Sequence, residues 1–217
     1  MKRLVLQLMR TIVTVIVVGT MAAMIFSLRS DLAKAKAAAA RGDGAGLFET
    51  VSGRASVRKF DRSRPVGDDV VERLLRAAMC APSAMDRRTW EFIVVRDREK
   101  LGRLALMLPS SRIGNGAPLA IVVCGKTDNG LNGRGKEFWV QECSAATMNL
   151  LLAAKALGLG AVWTGVFPRE EPVMAVREVL GVPEGYEPLN VIPVGWPAED
   201  PAPKDKWDPG KIHHDGW

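Results

Sequence analysis

The pattern of apolar and polar positions predicts that helices alternate with short buried strands over residues 68–195. Apolar residues recur at helical spacing in four segments, which are predicted helices: Asp68–Met79, Glu99–Leu108, Glu137–Leu157 and Glu170–Leu180. Short runs rich in β-branched residues are predicted to be buried strands: Glu91–Arg96, Leu119–Cys124, Ala161–Val166 and Leu189–Gly195. Taken alone, this order suits several α/β or α+β folds.

The N-terminal part of the chain has a different pattern, an uncharged apolar run of 18 residues from Thr11 to Leu28. This length is short for a bilayer span and long for the apolar part of a signal peptide. We expect residues 1–30 to form a transmembrane anchor helix; the alternatives are a cleaved signal for export and a buried helix. Basic residues flank both ends, so the orientation in the membrane stays open. Residues 31–46 are predicted to be a linker to one domain over residues 47–217.

The net charge of the chain is concentrated near its beginning. The 217 residues carry a formal net charge of +6 and have a pI near 9.5, which could indicate binding to nucleic acid. Residues 1–45 hold seven Lys or Arg and two acidic residues, and so account for +5 of this charge. The remaining residues are nearly neutral and have no electrostatic footprint for DNA or RNA.

Few residues of the chain could carry metal or nucleophilic chemistry. Cys80, Cys124 and Cys143 are widely spaced among apolar neighbours, which favours buried free thiols over a disulfide or a zinc site. The two histidines, His213 and His214, are adjacent near the C-terminus. Their scarcity excludes a histidine metal cluster and argues against a Ser-His-Asp arrangement. If the protein is an enzyme, its reactive chemistry comes from a bound cofactor.

The sequence RASVRKF, at Arg54–Phe60, has the spacing of a phosphate site. Arg54, Ser56 and Arg58 are two residues apart, so an extended backbone places all three side chains on one face. A hydroxyl between two guanidinium groups suits a phosphate, which accepts charge-assisted and bidentate hydrogen bonds. The alternative interpretation is a solvated basic end of a strand.

Three further segments complete a pattern that begins with RASVRKF. They are APSAMDRRTW at Ala81–Trp90, followed by the strand EFIVV; NLLLAAKALGLGAVWTG at Asn149–Gly165; and VGWP at Val194–Pro197 with Lys204-Asp205-Lys206 beyond it. Each motif is weak alone. In this order, over roughly residues 50–217, they resemble the FMN-dependent nitroreductase family.

The resemblance implies an α+β sandwich with a central, mostly antiparallel sheet flanked by helices. It also implies a homodimer that holds one FMN in each of two sites at the subunit interface. Arg54, Ser56 and Arg58 fall where the family holds the ribityl chain and phosphate of FMN. Lys204 and Lys206 fall where it adds two further cations, although both could simply be solvated tail residues.

The resemblance assigns four more residues to the flavin ring. Pro82 and Ser83 fall on the loop against the isoalloxazine. Thr164 and Gly165 fall where backbone groups approach its N5/O4 edge, and a glycine allows that approach because it has no side chain. The alternative for Thr164 and Gly165 is a plain strand end.

The second motif departs from the family pattern, because Asp86 stands for Asn, Arg88 for Gln and Thr89 for Pro. Asp86 could still accept a hydrogen bond from flavin N3–H or a ribityl hydroxyl, but an ionised carboxylate donates none, whereas an asparagine amide does both. Arg88 could reach the N1/O2 side of the flavin and favour its anionic reduced form. The alternative is an ion pair between Asp86 and Arg88 that only shapes the loop.

The resulting expectation is an FMN-dependent oxidoreductase that uses NAD(P)H to reduce nitroaromatic or quinone-like substrates by ping-pong hydride transfer. The absence of a catalytic histidine agrees with this, because the flavin supplies the reactive group. Other flavin reactions of the same superfamily, such as reductive dehalogenation or enoate reduction, are the first alternative. A membrane-tethered, non-catalytic flavin-binding protein is the second.

Overall fold

The computed structural model describes residues 19–30, except 22, 26 and 28, and residues 45–217, except 129. Its contacts divide the chain into two units, residues 1–49 and residues 50–217. The described residues between 19 and 30 are helical. Among the described residues, no helix is both long and apolar enough to cross a membrane. Most of the predicted anchor, including residues 11–18, and most of the linker lie outside the described residues, so the anchor remains an unsupported prediction.

The described helices and strands follow the predicted order, with one additional helix at the start. The helices are α1 (Ala45–Gly53), α2 (Asp68–Met79), α3 (Arg98–Met107), α4 (Phe138–Ala156) and α5 (Glu170–Leu180). The strands are β1 (Trp90–Val95), β2 (Leu119–Lys126), β3 (Gly160–Ala161), β4 (Thr164–Gly165) and β5 (Tyr186–Gly195). The strand order is β1-β2-β5-β3, and β4 also pairs with β5. Every pair is antiparallel, which confirms the predicted α+β fold with an antiparallel sheet.

The central strand β2 is buried on both faces of the sheet. Its alternate residues join two separate cores, Leu119, Ile121 and Val123 on one face and Ala120, Val122 and Cys124 on the other. The first core also contains apolar residues of α2 and α4, and the second contains those of α3 and α5. Because helices cover both faces of this strand, neither face can carry polar side chains. This explains the uninterrupted apolar run at this point of the sequence.

Two elements differ from the sequence-based expectation. The helix α1 begins inside the predicted linker, where the sequence analysis placed no element. The predicted strand Ala161–Val166 is instead two strands of two residues each. β3 pairs with Val194 and Gly195, while β4 pairs with Asn190 and Val191, so Val162 and Trp163 leave the sheet between them.

The expectation of three buried thiols is wrong for Cys80, which is exposed. Cys80 directly follows α2, whose buried positions Val71, Leu74 and Ala78 face the core, so its side chain falls outside that face. The other two thiols are buried as expected. Burial raises the pKa of Cys124 to about 12 and raises the pKa of Cys143 further still.

The segment Arg54–Phe60, which we name the edge segment, is attached to the edge of the sheet beside β3. The Val57 amide donates to the Ala161 carbonyl over 3.1 Å, and Phe60 forms an antiparallel bridge with Pro197. Val57 is buried, whereas Ser56 is half-buried and Arg58 is exposed. The segment can lie this close to β3 because Gly160 has no side chain. A Cβ at Gly160 would lie only 2.5 Å from Val57 Cγ1.

We expect Gly160→Ala to destabilise the fold, because its methyl group overlaps Val57 and forces the edge segment away from β3. Overpacking of this kind costs about 1–3 kcal/mol in the free energy of unfolding, measured by urea denaturation. Gly102→Ala in α3 is the control, because a Cβ there meets nothing within 4 Å. That change should be neutral or stabilising by up to about 1 kcal/mol through helix propensity. Equal free energies for the two variants would contradict the close contact.

Candidate functional site

A cleft of about 390 Å³ lies where β4 leaves the sheet, and we name it the Gly165 cleft. Its lining residues come from the edge segment, the turn after α3 and the region around β4: Arg58, Ser110, Val162, Trp163, Thr164, Gly165, Phe167, Pro168 and Arg169. The fold therefore brings the predicted site residue Arg58 together with Thr164 and Gly165, which lie over 100 positions further along the sequence.

The lining of the Gly165 cleft combines positive charge with aromatic surface. Arg58 and Arg169 contribute two guanidinium groups, and none of the lining residues is acidic. Trp163 and Phe167 are 37% and 36% exposed, and Phe167 makes an edge contact with Trp139 at a centroid distance of 4.9 Å. Cations beside exposed aromatic rings suit a planar ligand that carries negative charge.

Thr164 is the member of this cleft with the most unusual environment. It is only 5% exposed, and its hydroxyl has no hydrogen-bond partner among the described residues. The neighbouring Asn190 donates to Thr147 Oγ1 over 2.9 Å, but its Oδ1 atom also has no described partner. Two buried polar atoms without partners are costly in a folded chain, and a bound ligand is one explanation for their retention.

Arg54, Ser56 and Arg58 lie together on the edge segment. Arg58 Nη1 donates to the carbonyl of Ser56 over 3.2 Å, which directs the guanidinium back along the segment. The Arg58 amide donates to the Glu199 carboxylate, a residue that the sequence analysis did not single out. This bond fixes the segment to the chain that follows β5.

Lys204 and Lys206 lie on an exposed, irregular stretch that follows β5. In the part of the chain that the structure describes, the hydrogen bonds and clefts do not join either lysine to Arg54, Ser56 or Arg58. Arg54, Ser56 and Arg58 thus share one short segment, and the phosphate site that they would form with the two lysines remains a prediction.

The other predicted ring residues line a second cleft. Pro82 and Ser83 lie with Ala84, Phe138, Gln141, Glu142 and Ala145 around a space of about 360 Å³, which we name the Ser83 cleft. The lining residues of the Ser83 cleft and the Gly165 cleft do not overlap. Within one chain, the predicted ring contacts therefore form two separate groups.

One buried carboxylate holds the loop between Ser83 and Thr89. Glu142, on α4, is 4% exposed and accepts a hydrogen bond from the Ala84 amide over 2.8 Å. It also accepts from the amide and the hydroxyl of Thr89 at the other end of the loop. The sequence analysis missed Glu142, although a lone carboxylate among apolar positions of α4 was a signal for a buried polar contact.

The loop that Glu142 holds has a strained backbone. Met85, Asp86 and Arg88 have φ angles of 52°, 56° and 51°, in the left-handed region that favours glycine. Ser83 Oγ accepts from the Arg88 amide over 3.0 Å and helps to fix this shape. Non-glycine residues keep this conformation only where surrounding interactions hold them in it, and such residues cluster at functional sites.

Asp86 and Arg88 form the ion pair that was one of the two sequence-based alternatives. Arg88 Nε and Nη2 donate to the two carboxylate oxygens of Asp86 over 2.8 Å and 2.6 Å. The Arg88 hydrogen bonds lower the pKa of the Asp86 carboxyl, and the same pairing raises the pKa of Arg88. The bidentate pair shapes the exposed side of the loop; a contact of Arg88 with a flavin stays a prediction.

These features agree with a comparison of the chain with known proteins. The nitroreductase family model matches residues 51–113 and 104–196, and the chain belongs to this family. A Methanothermobacter thermautotrophicus protein named "Putative NADH dehydrogenase/NAD(P)H nitroreductase" is 46% identical over 171 residues, which cover 79% of this chain and 87% of that protein.

Solved structures give the same relationship. A crystal structure of a protein with that name from Parabacteroides distasonis has 48% sequence identity and a TM-score of 0.73, covering 78% of this chain and 98% of its own. An FMN-dependent nitroreductase from Clostridium difficile is 31% identical with a TM-score of 0.70, covering 78% of this chain and 99% of its own. The similarity therefore spans almost the whole length of these neighbours.

We expect Glu142→Ala to release the loop between Ser83 and Thr89, because three hydrogen bonds lose their acceptor. The unsatisfied donors should lower the free energy of unfolding by about 1–3 kcal/mol in urea denaturation. Limited trypsin digestion should also cut faster after Arg87 and Arg88. Gln141→Ala is the control, because Gln141 lines the same cleft and is exposed. Unchanged stability and cleavage in Glu142→Ala would contradict the role of this carboxylate.

Proposed function

We propose that the protein is an FMN-dependent oxidoreductase that takes reducing equivalents from NAD(P)H and passes them to nitroaromatic or quinone-like acceptors. The observation that carries this proposal is the Gly165 cleft, in which Arg58, Thr164 and Gly165 meet. Membership of the nitroreductase family supports it, as does the FMN dependence of the Clostridium difficile neighbour. The choice of acceptors follows the family.

The residues of the Gly165 cleft, together with the segment Arg54–Phe60 that carries Arg58, suit FMN in charge. Arg54, Ser56 and Arg58 would hold the phosphate and ribityl chain, and Lys204 and Lys206 would add two cations from the tail. The ring edge would lie against Thr164 and Gly165, giving the buried Thr164 hydroxyl a hydrogen-bond partner. The space beside Gly165 is open: a Cβ placed on this residue would meet only Trp163 Nε1, at 3.9 Å.

The protein itself would contribute binding, orientation and exclusion of water. FMN, when bound, supplies the group that accepts a hydride from the nicotinamide and later reduces the acceptor. Trp163 and Phe167 form apolar walls beside the ring position, and Arg169 holds the Gly165 carbonyl through a hydrogen bond of 2.6 Å. No side chain has to act as a catalytic acid or base. Both substrates would use the same space in turn, which corresponds to ping-pong kinetics.

A homodimer would reconcile the two separate clefts. Pro82 and Ser83 line the Ser83 cleft and are not among the lining residues of the Gly165 cleft of their own chain. If a second copy placed its Ser83 loop over the Gly165 cleft, both sets of ring contacts would surround one flavin. The strained, exposed loop held by Glu142 is suited to this, because it presents a fixed shape to a partner.

The direct test of the proposed function is the absorption spectrum of the purified protein, alone and after mixing with nicotinamides. We expect a yellow protein that binds FMN with about one flavin per chain. Its oxidised band should bleach on anaerobic addition of NADH or NADPH and return when a quinone is added. Heat-released flavin quantified against an FMN standard gives the stoichiometry.

Two results would overturn parts of this proposal. A colourless protein that takes up no added FMN would contradict flavin binding altogether. A protein that holds FMN, but whose band stays unbleached by either nicotinamide in stopped-flow mixing, would be the non-catalytic flavin-binding protein of the second alternative.

The phosphate assignment predicts a graded loss of FMN affinity. Arg58→Ala should weaken FMN binding roughly tenfold to a hundredfold, because it removes a charge-assisted contact to the phosphate. Lys206→Ala should cost less, since a lysine on an irregular tail is less well fixed than a guanidinium on the attached edge segment. Fluorescence quenching of FMN measures both dissociation constants.

Riboflavin is the matched control ligand, because it lacks only the phosphate. It should bind the unmodified protein and Arg58→Ala with similar affinity. Equal FMN affinity for the unmodified protein and both variants would mean that the RASVRKF segment does not bind the phosphate.

A further inference from the structure

A third cleft, of about 370 Å³, lies between the end of α3 and the start of α5. We name it the Glu171 cleft, and its lining residues are Met107, Leu108, Pro109, Ser110, Arg169, Glu171, Pro172 and Ala175. Ser110 and Arg169 line this cleft and the Gly165 cleft alike. The two spaces therefore adjoin, with a hydroxyl and a guanidinium at their junction.

We propose that the Glu171 cleft is the subsite for the adenosine half of the nicotinamide dinucleotide, and that Glu171 makes the protein prefer NADH to NADPH. The proposal rests on the proposed function, which places FMN in the Gly165 cleft and brings the nicotinamide against the flavin ring. A dinucleotide consists of two ring-bearing halves joined by a pyrophosphate. The Glu171 cleft adjoins the flavin position through a cationic junction. A dinucleotide whose nicotinamide meets the flavin can therefore extend its pyrophosphate across the junction and its adenosine half into the Glu171 cleft.

Arg169 is the residue at the junction that would bind the pyrophosphate. Its Nη2 atom donates to the Gly165 carbonyl over 2.6 Å, so the guanidinium is held in place before any ligand arrives. In the described hydrogen bonds, the other side-chain N–H groups of Arg169 have no protein acceptor. A held guanidinium with spare donors is suited to phosphate oxygens, and Ser110 offers a neutral donor beside it.

The walls of the Glu171 cleft suit an adenosine that has no phosphate on its ribose. Met107 is 41% exposed and, with Pro109 and Pro172, offers apolar surface to the adenine ring. Glu171 is the only carboxylate among the lining residues. A carboxylate accepts hydrogen bonds from ribose hydroxyls, whereas it repels the 2′-phosphate that distinguishes NADPH from NADH. Arg169 does not offset this repulsion, because the pyrophosphate neutralises it at the junction.

The test compares two fragments that lack the nicotinamide, so its readout is binding and not turnover. ADP-ribose and ADP-ribose 2′-phosphate are titrated into the full-length, FMN-loaded protein by isothermal calorimetry. We expect ADP-ribose to bind tenfold or more tightly than its 2′-phosphate. Glu171→Gln, which keeps the size and removes the charge, should reduce this ratio to about threefold or less by improving the affinity for the 2′-phosphate.

Two further variants separate the parts of the proposal. Glu170→Gln is the matched control, because Glu170 precedes Glu171 on the same exposed turn but does not line the cleft. It should keep the full ratio between the two fragments. Arg169→Gln should weaken both fragments by a similar factor, roughly tenfold, because both carry the pyrophosphate.

Three outcomes would overturn the proposal: no binding of ADP-ribose, equal affinity of the unmodified protein for the two fragments, or an unchanged ratio in Glu171→Gln. A ratio that falls equally in Glu170→Gln would also overturn it, because it would reduce the effect to general surface charge. If the proposed function itself is wrong, a different result is expected, because the protein then takes up no FMN. The two failures are therefore distinguishable.

Discussion

The pairing of β2 with β5, with both faces of the pair covered by helices, is the constraint on which the rest of the domain depends. Because both faces are buried, the remaining chain can add to the sheet only along its edges. β1 occupies one edge, while β3, β4 and the segment Arg54–Phe60 occupy the other. β3 and β4 meet β5 at different points, so Val162 and Trp163 leave the sheet there. The Gly165 cleft is the space that this interruption creates.

The loop between Ser83 and Thr89 depends on a different kind of interaction, a buried charge. Glu142 satisfies donors at both ends of the strained turn, and its position on α4 ties the turn to one of the two cores. A buried carboxylate is costly unless it is hydrogen-bonded, so its retention in an apolar helix face indicates that the loop shape has a use. The proposed use is to present Pro82 and Ser83 to a flavin held by a second copy of the chain.

The sequence predicted the main helices and strands because their signals are local, although four of the six residues of β1 are not buried as expected. Spacing defined α2 and α5, and β-branched runs defined β1 and β2. The sequence did not predict the break between β3 and β4, because no local signal divides the run Ala161–Val166 and only its two separate pairings with β5 do so. Motif matching located Arg58, Thr164 and Gly165, which the fold brings together. Arg169, Glu171 and Glu142 lie outside any motif, and they gain a role only when α4, α5 and the loops meet in three dimensions.

We propose that one flavin site is built from the Gly165 cleft of one chain and the Ser83 loop of another. A crystal structure of the FMN-loaded protein tests it most directly. The account predicts a phosphate contacted by Arg54 and Arg58, a ring edge at Thr164 and Gly165, and Pro82 and Ser83 of a second copy against the ring. An FMN located away from the Gly165 cleft, or a ring flanked by one chain alone, would contradict it.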